Sequence, residues 1–316
     1  MVTFALMDDM ETYRRWCASE PGIPLFLQAV WIDAAAPGVW RVWTFEDGGC
    51  RAFFVYVPGS KWCMRYVAPP LLTPCQGFWM LSGHAAFAER CQRDLLGRLR
   101  GMRLSLFEMN AAPGVALPLF EGAGYKRIPR VTYRIDDLQD LESVWKGVAS
   151  SKRRQARKGD RAGLRLTVGM EVAEFYRMLR DDHGRVWYPL PFLERLCAAV
   201  IPSRGEILAA TDPEGRHSAA ALFVWDSRTV YYLAYANPPA FRGTGASSWL
   251  VWQAMRRYSA AGKEIFDFEG SMLRKVAASY RKFGATAVSF DQWSKTGLPA
   301  RAALAVKRFF GRLARR

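Results

Sequence analysis

The stretch Phe266–Ala285, FDFEGSMLRKVAASYRKFGA, brings together the side chains best suited to chemistry. Asp267 and Glu269 alternate with Phe266 and Phe268. On a strand, a period of two turns both carboxylates to one face. A carboxylate pair at a strand end, beside Gly270 and Ser271, can take up and return a proton as a general base and acid. Tyr280, Arg281 and Lys282 follow on an expected short helix, where a phenol or ammonium can donate to a developing oxyanion. The competing arrangement is a salt-bridge network between these acids and nearby arginines. Asp267, Glu269, Tyr280 and Lys282 are the candidate catalytic residues, with Ser271 beside them as a candidate substrate contact.

Three further segments have binding chemistry. WKGVASSKRRQARKGDRAGLR, residues 145–165, carries Lys152, Arg153, Arg154, Arg157 and Lys158. Ser150 or Ser151 is placed to cap a helix, and positions 153/157 and 154/158 form basic stripes on it. Cations this close to a helix N-terminus oppose the macrodipole, a cost that a bound anion relieves; arginine forks suit phosphate. Alternatively the run is a solvated charged face. Arg242-Gly243-Thr244-Gly245-Ala246-Ser247 leads from a strand and a Pro-Pro break into a helix, so its backbone N–H groups can meet a phosphate. Its Arg-x-x-Gly-x-Ser spacing is similar to the loop that holds the coenzyme A pyrophosphate in GNAT acetyltransferases; a plain turn and cap fits the residues equally. Trp187 and Tyr188 read either as adjacent aromatics walling a substrate groove or as core.

The 316 residues carry 45 Lys/Arg against 29 Asp/Glu, a net charge of +16. Residues 146–165 hold eight basic residues and one acid, and residues 292–316 hold seven basic residues and none. Charge concentrated in this way implies a polyanionic partner: RNA, a phosphorylated substrate or an anionic membrane surface. Six cysteines without a C-x-x-C pair and three scattered histidines offer no zinc spacing and suit free thiols in a reducing compartment. No run of eighteen apolar residues exists, and the acidic start MVTFALMDDMETYRRW is unlike a signal peptide. These features lead to the expectation of a cytoplasmic protein without an integral membrane segment. No serine-hydrolase elbow, metalloprotease, Walker or dinucleotide motif occurs, which excludes those classes.

The chain reads as an α/β (α+β) protein. Strands are expected at Trp40–Thr44, Arg51–Tyr56 and Lys61–Val67, then a PPLLTPCQG loop, a helix from His84 to Arg100, a strand Arg103–Glu108, a short helix within Leu117–Gly124 and a strand Tyr125–Ile135. The second half repeats this grammar. Helices are expected at Leu141–Gly159, Glu171–Trp187 and Pro191–Val200. Strands follow at Glu206–Ala210, Ser218–Trp225 and Thr229–Ala236. A helix Ser247–Ala261, a strand Ile265–Phe268, a helix Lys275–Phe283 and a strand Ala285–Trp293 complete it. A seam is expected near Asp136-Asp137, and PARAALAVKRFFGRLARR reads as a basic amphipathic terminal helix.

In this order, SSKRRQARKGDRAGLRL, FDFEGS and YRKFGA resemble the FemAB/FemX-like transferases, and PPLLTPCQG is similar to that family's Pro-Pro-x-Thr-x-x-x-Gly loop. The resemblance covers nearly the whole chain. It implies two tandem GNAT-like domains, each a mixed, mostly antiparallel sheet flanked by helices: 1–136 with a returning helix at 297–316, and 137–296. It implies transfer of an aminoacyl group from aminoacyl-tRNA to an amine of a peptidoglycan precursor or peptide-like metabolite, by a monomer needing no cofactor or metal. Peripheral membrane contact is compatible with it. The family lysine before the final Phe-Gly falls on Tyr280 here, so Tyr280 or Lys282 is expected to replace it. The basic helix, Trp187, Tyr188 and Arg242 become the candidate substrate contacts. The alternative is a GNAT-type N-acyltransferase that uses acyl-CoA.

Overall fold

Runs rich in Val, Phe and Tyr, separated by Gly and Pro turns, build the sheets of two units, Met1–Arg130 with Ser289–Arg316 and Val131–Val288. The computed structural model describes residues 10–62, 64–270 and 273–297. The terminal segment expected to form a basic helix lies outside the described residues, as does Ser271.

The first unit opens with α1 (Met10–Ser19) and α2 (Ala29–Ala35). The sequence pattern had no place for α2, because AVWIDAA is apolar almost all round and has no helical stripe. β1 (Arg41–Asp47) pairs antiparallel with β2 (Cys50–Tyr56). Gly48 and Gly49 both have positive φ (55° and 85°), the backbone of a tight hairpin. The strand expected at Lys61–Val67 is instead a hairpin of β3 (Pro58–Lys61) and β4 (Met64–Val67). β5 (Gly77–Ser82) follows the proline-rich loop and completes a three-stranded sheet β1-β2-β5. α3 (Ala85–Gly101) is capped by His84, whose ring accepts from the Phe87 N–H at 3.3 Å. β6 (Leu106–Asn110), α4 (Leu119–Gly122) and β7 (Lys126–Ile135) follow. Phe54, Phe87, Leu95, Phe107, Phe120 and Trp293 are fully or almost fully buried in this unit's core, each contributing about 1.5–3 kcal/mol of apolar burial.

β7 carries the chain into the second unit. There follow α5 (Leu141–Gly147), α6 (Ser150–Arg161), β8 (Arg165–Val168), α7 (Val172–His183), α8 (Leu190–Arg204), β9 (Gly205–Thr211), β10 (His217–Trp225), β11 (Thr229–Ala236), α9 (Ala246–Ala260), β12 (Ile265–Asp267), α10 (Arg274–Arg281) and β13 (Thr286–Thr296). β8, β9, β10 and β11 pair antiparallel in that order, β11 and β12 are parallel, and β12 is antiparallel to β7. The sheet is thus mixed and mostly antiparallel, with helices packed on it. Ala219, Ala220 and Ala221 keep the middle of β10 small, and Trp249, Met255 and Tyr258 of α9 join its core.

Three boundaries differ from the sequence expectation. The helix read as Leu141–Gly159 is two helices broken at Val148, because the Ala149 N–H donates to the Lys282 carbonyl at 2.8 Å. Neither Ser150 nor Ser151 caps α6; Ala149 stands at that position, without a side-chain bond. The seam falls at Arg130/Val131 rather than Asp136-Asp137, and the chain from Ser289 belongs to the first unit. The reason is register: Gln292–Thr296 of β13 pair with Asn110–Leu106 of β6. Among the described residues, no helix is long and apolar enough to cross a membrane.

Candidate active site

Asp267 ends β12, a short strand held on both sides. Tyr231 of β11 is its parallel neighbour and Arg134 of β7 its antiparallel one. The Phe268 N–H donates to the Tyr133 carbonyl at 2.9 Å. β11 runs on to Ala236, beyond its last partner on β12. The carboxylates therefore sit where two parallel strands stop pairing, the kind of opening at strand ends that binds ligands in α/β proteins.

The Asp267 side chain is 5% exposed. Its Oδ1 accepts from the Thr132 hydroxyl and, at 2.7 Å, from the Glu269 N–H. Glu269 does not continue the strand: its φ is +64°, so the alternation expected for the two acids fails there. The bend is what turns its own N–H back onto Asp267. Among the described residues, Glu269 Oε1 is buried without a hydrogen-bond partner. Burial pushes the Asp267 carboxyl up to about 6, against the opposing hydrogen bonds from Thr132 and Glu269. Burial, then the charge of Asp267, pushes Glu269 well above the usual carboxylate range. Two close carboxyls cannot both ionise cheaply, so the charge of Asp267 disfavours that of Glu269.

Aromatic rings supply the dryness. Phe268 stacks on Tyr280 at 4.8 Å and on Phe283 at 5.5 Å, and Tyr232 meets it edge-on at 6.0 Å. Tyr280 is buried, and burial followed by the charges of Tyr235, Glu269 and Asp267 raises its phenol. It remains a neutral donor beside the acids. Lys282 faces solvent, at the C-terminal cap of α10. Of the two candidates for the family lysine's place, only Tyr280 is buried against the acid pair's aromatic wall.

The basic helix divides by residue. Lys152 is half-buried, with Nζ 4.6 Å from the Phe283 ring centre and 3.4 Å from Ser248 Oγ. Burial, and then the charge of Lys282, lowers it to about 8. Arg153 Nη1 donates to the Trp145 and Lys146 carbonyls, both at 3.1 Å, and so caps the C-terminal end of α5. Arg154 and Arg157 are exposed, the latter over the Trp145 ring at 5.9 Å. Lys158 Nζ donates to the Gly243 carbonyl at 2.7 Å, fastening α6 to the loop before α9.

That loop is built for close approach. Gly243 and Gly245 have φ of +84° and +95°, and a Cβ on Gly245 would stand 2.3 Å from the Gln155 carbonyl oxygen. Arg242, expected to face a phosphate, is paired instead with Asp182 of α7 at 2.7 Å. α7 ends at Gly184 with φ +69°, so Trp187 and Tyr188 lie beyond the helix expected to reach Trp187. They diverge: Trp187 is 78% exposed, while Tyr188 is buried against Phe192 at 6.1 Å. Tyr188 thus packs in the unit rather than walling a groove. Thr132, Tyr232, Asp182 and Ser248 join the constellation without any signal in the sequence, since each is brought in across the sheet or between helices.

Residues 146–281 match the family described as an acetyltransferase (GNAT) domain. The match lies within the second unit. The carboxylate pair, the glycine loop and the basic helix α6 all lie within the matched residues. The fold is shared with FemX, at 12% identity and a TM-score of 0.69, covering 90% of this chain and 96% of that one. It is also shared with the C-terminal domain of a putative lysylphosphatidylglycerol synthetase from Agrobacterium fabrum (14%, TM-score 0.60, 93% and 95% covered). A tandem GNAT protein from the clavulanic acid biosynthesis pathway is similar again (12%, TM-score 0.57, 93% and 98% covered). No curated protein matches the sequence. The expectation of tandem GNAT-like folding of the FemX kind holds. Within the matched residues, the acid pair lies at the end of β12 and the glycine loop opens α9, so both come from the stretch between β11 and α10.

Proposed function

We propose that this protein is an acyltransferase that moves an aminoacyl group from aminoacyl-tRNA to an amine of a peptidoglycan precursor or peptide-like metabolite. The observation that carries the reading is the acid pair Asp267–Glu269, tied by the Glu269 N–H to Asp267 Oδ1 and set beside the buried Tyr280, on a fold shared with FemX.

The amine must be neutral to attack the ester carbonyl. Asp267, ionised above about pH 6, orients the amine and takes its proton as the C–N bond forms. The carbonyl oxygen gains charge and is met by the Tyr280 hydroxyl, a donor worth about 3–4 kcal/mol when well aimed. The ester C–O bond then breaks, and Glu269, in its protonated form, returns a proton to the leaving ribose oxygen. One proton is taken and one given, and the pair is restored by passing a proton from Asp267 to Glu269. Because the ester is already activated, holding the two substrates together supplies much of the acceleration.

The polyanionic donor suits the exposed cations Arg154 and Arg157 of α6. Lys152, half-buried at the first turn, gains most from a bound anion, which would restore its ordinary basicity. A second reading, an acyl-CoA-dependent N-acyltransferase, is favoured by Gly243 and Gly245 at the mouth of α9. Against it stands Arg242, which is occupied by Asp182. Calorimetry with acetyl-CoA separates the two. Binding in the micromolar range, weakened by Arg242→Ala, would favour coenzyme A. The aminoacyl reading expects no such binding and a salt-dependent complex with tRNA.

A further inference from the structure

The first unit contains a cavity of about 150 Å³ between the C-terminal end of α3, β6, the turn after α4 and β13. Its floor is apolar, with Leu96, Leu104 and Phe107. Its rim is cationic, with Arg100, Arg103 and Lys295, and no carboxylate lines it. Among the described residues, none of these three cations is in an ion pair.

The backbone adds to the pattern. Arg103 has φ +49°, a conformation that disfavours a side chain and is held here by the turn closing α3. Strain of this kind persists where the surroundings over-determine it. A glycine would suit the turn, yet the residue is an arginine whose side chain lines the cavity. Lys295 lies over the Tyr125 ring at 4.7 Å and donates to the Ala123 carbonyl at 2.8 Å, which fixes its ammonium at the rim. Tyr125 is pushed up to about 12 by burial, with Arg100 opposing. Its phenol therefore stays protonated as one more donor.

We propose that this cavity binds an amphiphilic anion, an apolar group of about six carbons ending in a carboxylate or phosphate. A cavity of roughly this size takes a six-carbon ring when its walls are apolar. Two guanidiniums and an ammonium supply the charge-assisted donors that either head group needs. A cation is excluded by the rim, and a neutral apolar molecule leaves the rim unused.

The test titrates hexanoate, hexyl phosphate, hexanol and inorganic phosphate into the full chain and follows the Leu96 and Leu104 methyl resonances by NMR. Hexanoate or hexyl phosphate should shift these methyls saturably and at least tenfold more tightly than hexanol, the tighter anion naming the head group. Inorganic phosphate should leave them in place. Arg103→Gly removes one cation while suiting the positive φ, so the fold should persist and affinity fall about tenfold. Ala123→Leu fills the cavity and should abolish the shifts. Equal binding of hexanol and hexanoate would overturn the proposal by making the cations irrelevant. Inorganic phosphate binding as tightly as hexyl phosphate would overturn it by making the floor irrelevant. Absence of any saturable shift in the unaltered protein would overturn it outright.

Discussion

Asp267 is pulled two ways. Thr132 and the Glu269 N–H stabilise its charged form, and the aromatic surroundings penalise it more strongly. Its folded-state pKa, about 6, therefore lies above that of an unfolded aspartate, about 3.9. Protonation favours the fold: this contribution is present below about pH 4 and is lost as pH rises through about 6. Activity runs the other way, since a base must be ionised. Turnover should climb between about pH 5 and 7 while the melting temperature declines. Asp267→Asn keeps the shape and removes the titration, so its melting temperature should vary less over that range. An unchanged slope would move the titration to another group. Transfer should fall by about 10²–10⁴ in Asp267→Asn. Full turnover with lowered stability would make the pair a structural node instead.

The elements impose a division of labour on α6 that its sequence conceals. Arg153, Arg154 and Arg157 look equivalent, yet Arg153 is spent on the α5 carbonyls. Arg153→Ala should lower stability by about 1 kcal/mol, read as a shift in denaturant midpoint, and leave tRNA affinity nearly unchanged. Arg154→Ala with Arg157→Ala should instead spare stability and weaken tRNA binding. Their loss should also flatten the salt slope by roughly 0.7–0.9 per phosphate contact removed; an unaltered slope would assign them to solvation. The contact of α6 with the loop before α9 is equally exacting. Gly245→Ala meets the Gln155 carbonyl and a positive φ together, so it should destabilise the protein by about 1–3 kcal/mol or more. A midpoint unchanged by that substitution would mean that the helix and loop separate easily.

For the molecule as a whole, the doubled order of elements was legible because Gly and Pro punctuate it and the β-branched and aromatic runs alternate. β5 was not, since GFWMLS follows directly on the proline-rich loop and lacks a period of two. The break at Val148 was not, since the helical pattern continues through it and only Lys282, far along the chain, supplies the competing acceptor. Of the site, the acids and Tyr280 could be named from their types and spacing. The bend at Glu269, the burial of Lys152 and the capture of Arg242 by Asp182 could not, because each depends on a partner from another element. The +16 charge and the acid pair meet in the proposed transfer from a charged tRNA to an amine. Its most direct measurement follows radiolabelled amino acid from charged total tRNA, with the purified full chain and a panel of amine acceptors. The proposed function predicts label in an amide product, formed by the unaltered protein and largely lost with Asp267→Asn. Label that stays on tRNA while the same protein acylates those amines from acyl-CoA would contradict it.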